Sequence, residues 1–315
     1  VRNLKKIILT LLCFGIIGSV WTATNAITEI AAVFRSEDKE YIRTMKQDLL
    51  SLKMAYPEYI TAIEGDVNGK VYLVMKSGKK IIYDDKKEKS QEEKIANPDL
   101  QDMLEQIYPL TTTRELMDKN FDPGRCRVYE LMAEVYGGSE GSIKKNLTNL
   151  SVGGKYCQFN KNNKAADSLS AAIKEVNGLI KSNKEIAGYV YPTSGTFNFR
   201  RIAGTSRLSA HSYGIAIDLA GNKWDYWKWA TAEQGQKRLS TYPKELVEVF
   251  ERNNFIWGGK WGHFDILHFE YRPEIIIKAK YFASKEKKDE NWYYGAPEED
   301  DRVREYIRYI DEVLR

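Results

Sequence analysis

The sequence predicts an α+β fold, a small antiparallel sheet flanked by helices. Three observations carry this expectation. Apolar residues recur at three- and four-residue spacing in separate stretches, as in Ala166, Leu169, Ile173, Val176 and Ile180, and again in Val303, Tyr306, Ile310 and Val313, which is the period of a half-buried helix. Two short runs, 213–220 and 266–271, alternate with the period of a strand. Between 185 and 275 the texture is one of short strands and turns, broken by a helix at "YPKELVEVFERNN", where Pro243 suits the first helical turn.

Taken in order, residues 1–26 follow a signal-peptide plan: Arg2, Lys5 and Lys6, an apolar run from Ile7 to Val20, then Thr24 and Ala26 at the small-residue cleavage positions. Export to a periplasm or cell envelope is expected. A retained membrane anchor is the alternative, but the run is short of the roughly 20 residues that span a bilayer. Losing the leader lowers the formal net charge from +4 to +1, which gives no argument for nucleic acid and leaves no membrane segment. Cys126 and Cys157 then remain, and a disulfide between them is expected in an oxidising compartment. Residues 27–95 form an N-terminal extension: a helix to about 59 carrying Ile42, Met45, Leu49 and Leu52, then a hairpin over 68–85 turning at Ser77-Gly78. Residues 96–285 form the main domain. Its lead-in has short helical stretches joined by "YPLTTT", "FDPGR" and "GGSEG", then the helix after Asn163. Residues 286–315 end the chain as a helix opened by Pro297 and the acidic cluster 298–301.

The chain has three histidines, His211, His263 and His268, and all fall in two stretches, "SRLSAHSYGIAIDLAGN" (206–222) and "IWGGKWGHFDILHFEYRPE" (256–274). A strand over 213–220 sends Tyr213, Ile215, Ile217 and Leu219 to a core face and leaves Asp218 on a face of small residues, over which a bend at Gly214 can swing His211. The second strand places His268 and Glu270 on one face and Phe269 and Tyr271 on the other, with Asp265 at its entrance. Two histidines and a carboxylate make a catalytic type of zinc site, with a fourth position open. Asp265 is the best-placed spare base, and Glu270 is a partner for His268 or a rival base.

These stretches resemble the VanY-type D-alanyl-D-alanine carboxypeptidase family of zinc peptidases, which includes endolysin L-alanyl-D-glutamate peptidases. Ser209, His211, Gly214, Ala216 and Asp218 meet its Ser-x-His-x-x-Gly-x-Ala-x-Asp pattern; Trp257, Gly258, Gly259 and Trp261, then Asp265, His268, Phe269 and Glu270, meet its second. The resemblance implies a Hedgehog/D-Ala-D-Ala peptidase-like fold, Zn2+ held by His211, Asp218 and His268, Asp265 as general base, and peptidoglycan stem peptides as substrate. Aspartate at 265, where related members carry glutamate, points to the endolysin-like branch. An upstream arginine steadies the oxyanion in the family; Arg200 is favoured over Arg201 and Arg207, which are read as exposed charge or a structural ion pair, or, in a carboxypeptidase, as the cation that holds the substrate's free carboxylate. His263 is read as a donor to the tetrahedral intermediate, a competing ligand or a packing residue, in that order. Trp224, Trp227 and Trp229 either line the cleft or pack beneath a loop. The competing class is a non-catalytic zinc-holding envelope module for binding or signalling, and a third is a sugar-binding envelope protein relying on its tryptophans; Asp265 with an upstream arginine favours the enzyme.

Overall fold

The computed structural model describes residues 39–283 and 291–314, so the expected leader lies outside the described residues. The chain divides after Thr44. In the first unit the described residues, 39–44, are helical. The second unit, Met45–Arg315, contains the rest of the N-terminal extension, the two histidine-bearing stretches and the C-terminal helix. No helix among the described residues is long and apolar enough to cross a membrane.

Helix and small antiparallel sheets coexist as expected, but the described residues form three sheets. The first is a meander of β1 (Ile60–Gly65), β2 (Val71–Met75) and β3 (Lys80–Ile82), where a two-run hairpin is read from the sequence. The extra strand is β1. Its Ile60 and Ile63 are both buried at an odd separation because the register shifts between Ile60 and Ala62, so the strand imitates helical spacing. The second sheet, β4 (Leu147–Val152) with β5 (Lys155–Asn160), replaces part of the expected helical lead-in. It turns at Gly153 and Gly154, both at positive φ.

The third sheet carries the site. Its strands β6 (Ala216–Asp218), β7 (Phe255–Trp257) and β8 (His268–Tyr271) run antiparallel in the order β6-β8-β7. The strand expected over 213–220 is shortened, because residues Ala210–Tyr213 form one 3-10 turn that ends at Gly214. Behind the sheet, Phe269 stacks on Phe250 and Trp257, and Phe255 meets Tyr271 edge-on. Phe250 belongs to the helix Lys244–Arg252, which packs on β7 and on the long helix Ala165–Ser182. Pro243 caps that helix and does not enter its first turn.

The outer segments are tied to the same unit. The Tyr309 hydroxyl, on the C-terminal helix Asp301–Val313, donates to the Ile63 carbonyl at 3.2 Å and accepts from its amide at 2.8 Å. Lys278 pairs with buried Asp48, which also accepts from the Tyr83 hydroxyl at 2.8 Å. Cys126 and Cys157 are both free. The expected disulfide is absent because Cys126 lies on the buried segment beside Arg127 while Cys157 sits on β5 opposite Leu150.

Gly214 shows why the turn before β6 needs glycine. It sits at φ +67°, and a Cβ there would stand 2.7 Å from Leu147 Cδ2 and 3.2 Å from the Asn160 backbone nitrogen. Gly214→Ala is expected to lower stability by about 1–3 kcal/mol from the left-handed backbone alone, read as a lower denaturant midpoint with an unchanged m-value.

Candidate metal and active site

Register brings the site together. Asp218 on β6 lies directly opposite His268 on β8, and Ala216 lies opposite Glu270. Both side chains of such a cross-strand pair share one face, so the carboxylate and the imidazole meet without a bend in either strand. The 3-10 turn delivers His211. Ser209 caps it, its hydroxyl accepting from the His211 amide at 3.4 Å. Ser212 staples it to the upstream chain, taking the Arg200 amide at 2.9 Å and donating to the Arg200 carbonyl at 2.6 Å.

Three ligand-type atoms converge. His211 Nε2 lies 3.2 Å from Asp218 Oδ1 and 3.2 Å from His268 Nδ1, and the last two are 2.9 Å apart. Ligand atoms around a tetrahedral metal with bonds of about 2.0–2.2 Å stand roughly 3.3 Å from one another, so the triangle is of the right size. The tautomers also suit a cation. His211 Nδ1 lies 2.6 Å from the Thr196 carbonyl oxygen, which can only accept, so Nδ1 bears the hydrogen and Nε2 presents its lone pair to the triangle. Lone pairs this close repel unless positive charge sits among them; one proton relieves one pair, a metal ion all three.

The electrostatics agree. Burial works to raise the Asp218 carboxyl, but hydrogen bonding to His211 and His268 holds it well below the usual carboxylate range. Burial likewise opposes charge on His268, and the Asp218 carboxylate outweighs it, lifting the imidazole to about 10. Asp265 behaves differently: burial pushes its carboxyl up to about 6, the range in which a general base can work near neutrality.

The Trp-Gly-Gly-x-Trp stretch builds the wall that holds Asp265. A Cβ on Gly258 would stand 2.5 Å from the Asp265 carbonyl oxygen, and one on Gly259 would overlap the Trp257 ring. Trp257 Nε1 donates to the Ile266 carbonyl at 2.7 Å, and the His268 amide closes a turn on the Asp265 carbonyl at 3.0 Å. Trp261 donates to the Pro123 carbonyl at 2.8 Å while its ring leans on His268 at 5.7 Å.

The remaining expected residues separate. Arg200 is exposed, and it, Arg125 and Asp265 all lie close enough to the Tyr226 hydroxyl to influence its ionisation. Arg207 is turned away, its guanidinium donating to the Ile95 carbonyl at 2.6 Å, and Arg201 folds back on the Ser206 carbonyl. His263 is outside the triangle: Asp122 accepts from its amide at 2.9 Å and holds its Nδ1 at 2.7 Å. Trp227 packs edge-on against His263, whereas Trp229 is 74% exposed and lies edge-on to Tyr226. Sequence reasoning missed Asp122, which also binds Arg125 at 2.9 Å, and Arg127. Both stand in or beside "FDPGR", whose proline and glycine read only as a turn.

Residues 203–271 match the profile of a family described as D-alanyl-D-alanine carboxypeptidase. Over those residues the chain is similar to that family. The match contains the whole His-Asp-His triangle and Asp265, and it starts after Arg200. It supports the carboxypeptidase family without selecting the endolysin-like branch. Curated proteins and solved structures give no match. The likeness is to a peptidase family that acts on D-Ala-D-Ala-type substrates, and the matched residues include three side chains placed so that they could hold a metal ion.

Proposed function

We propose that the protein is an exported zinc peptidase that hydrolyses peptide bonds in the D-amino-acid-containing stem peptides of peptidoglycan, as a carboxypeptidase or as an L-Ala-D-Glu type endopeptidase. One observation carries the reading: the triangle of His211, Asp218 and His268, with Asp265, its backbone tied to the Gly258 carbonyl at 3.0 Å, close enough for its carboxyl to feel the charge of all three. His211 Nε2, Asp218 Oδ1 and His268 Nδ1 would hold the zinc. Bound there, zinc would supply a water whose pKa is lowered to about 7 and a Lewis acid for the scissile carbonyl.

The chain's own residues do the rest. Asp265 takes the proton of the attacking water and returns it to the leaving amine. Arg200, which has no side-chain partner among the described residues, turns to the oxygen that gains negative charge. Tyr226 is paired through its backbone with Asp265, and the exposed Trp229 lies edge-on to it, an aromatic face open to a peptide. A binding or signalling module that kept metal for structure would have no use for a carboxylate in Asp265's position. Aspartate in place of glutamate at that position supports the endolysin-like branch.

The test is to incubate the protein with defined muropeptides, with zinc and with a chelator, and weigh the products. Loss of a terminal D-alanine, or scission within the stem, is expected only with zinc, and the product mass identifies the bond. Muropeptides left intact under zinc-replete conditions would overturn the proposal.

A further inference from the structure

Behind the triangle a chain of buried charge runs out of the matched segment. Glu270 shares a face of β8 with His268, is fully buried, and brings Oε2 to 3.6 Å from His268 Nε2. Arg127 grips both of its oxygens, Nε donating to Oε1 at 2.6 Å and Nη2 to Oε2. Arg272 also approaches Oε1, at 3.4 Å, and donates to Glu274 at 2.5 Å. Glu274 in turn accepts from the Tyr56 hydroxyl at 2.7 Å. All five side chains, Tyr56, Arg127, Glu270, Arg272 and Glu274, are buried.

This arrangement exceeds what stability asks for, since buried ion pairs are often replaceable by apolar residues of similar volume at little cost. What it does provide is direction. A planar guanidinium that donates to both oxygens of a carboxylate fixes its plane as well as its place. The carboxylate so fixed faces the Nε2 edge of His268, whose Nδ1 edge completes the triangle. Ligating histidines are oriented in this way by a partner on their second nitrogen.

We infer that Arg127, which lies outside the matched residues, is a positioning residue for His268: by clamping Glu270 it sets the angle at which Nδ1 meets the metal. The Arg272–Glu274–Tyr56 links anchor that clamp to the chain preceding β1, so a segment with no part in the chemistry braces the ligand. The inference rests on reading the triangle as a metal site.

The experiment measures zinc affinity of the full chain by competition with a chromophoric chelator, alongside the visible absorption of the Co2+-loaded protein. Arg127→Gln is expected to weaken zinc by about 10–100-fold, the usual cost of losing a ligand's partner, and to alter the Co2+ spectrum while far-UV circular dichroism stays that of the wild type. Arg127→Lys keeps the charge without the two-point grip and is expected to fall between. A folded Arg127→Gln variant with wild-type zinc affinity and spectrum overturns the inference. If that variant does not fold, the lysine variant decides, and unchanged affinity in it overturns the inference equally. A wild-type chain that binds no zinc sinks this and the metal reading together. Zinc binding that weakens in the variant, without stem-peptide cleavage by the wild type, upholds this inference and sinks only the hydrolase reading.

Discussion

Asp265→Asn is expected to slow stem-peptide hydrolysis by about 10²–10⁴-fold, the range for loss of a positioned general base, while zinc affinity stays within a few-fold of wild type. The substitution keeps the shape of the side chain and removes its basicity. Asp265 is not one of the three triangle atoms, and its backbone, held by the Gly258 turn and by the His268 amide, does not depend on its charge. The loss should therefore fall on kcat with KM little changed, because proton transfer is felt in the transition state and not in substrate binding. Steady-state kinetics on a defined muropeptide, with zinc content measured on the same sample, check this. A folded, zinc-loaded variant turning over at the wild-type rate would remove Asp265 from the role of base.

Replacing a residue of the triangle acts one step earlier. His211→Ala is expected to reduce zinc affinity by more than the roughly 10–100-fold that loss of a supporting partner costs, and to bring hydrolysis down to that of chelator-treated wild type. The fold should survive. His211 sits on a 3-10 turn held by Ser209 and Ser212, and outside the triangle the interaction its ring leaves behind is the Thr196 carbonyl, a loss of about 1–3 kcal/mol if that carbonyl finds no other donor. Isothermal titration with zinc, together with a thermal melt of the apo variant, separates the two effects. An apo melt like that of the wild type combined with wild-type zinc affinity would mean that the triangle is not where the metal binds.

Legibility differed between the site and its frame. The two-faced character of the strand "HFEY" was plain in the sequence, and the structure has Phe269 and Tyr271 in the aromatic core with His268 and Glu270 opposite. The turn at Gly214 was equally legible, because a glycine between His211 and Asp218 allows the left-handed backbone the chain adopts there. The β4–β5 hairpin was not. Its Leu147 and Leu150 are three apart, a helical spacing, and half of its residues face solvent, so no alternation announced it. Yet it frames the site, since Asn160 binds the Tyr213 carbonyl at 2.9 Å and takes the Gly214 carbonyl on its amide at 2.8 Å. Arg207 failed for a related reason: proximity along the chain placed it near His211, but its partner, the Ile95 carbonyl, is 112 residues away.

The sequence by itself determined which residue types meet at the site, since donor atoms, small neighbours and turn glycines are properties of short stretches that a strand or turn displays in any setting. Tertiary structure alone decided which charges back them. What Glu270 pairs with was set by a guanidinium from residue 127 that reaches it in the interior, and a buried pairing between residues 143 positions apart leaves no periodic trace in the chain.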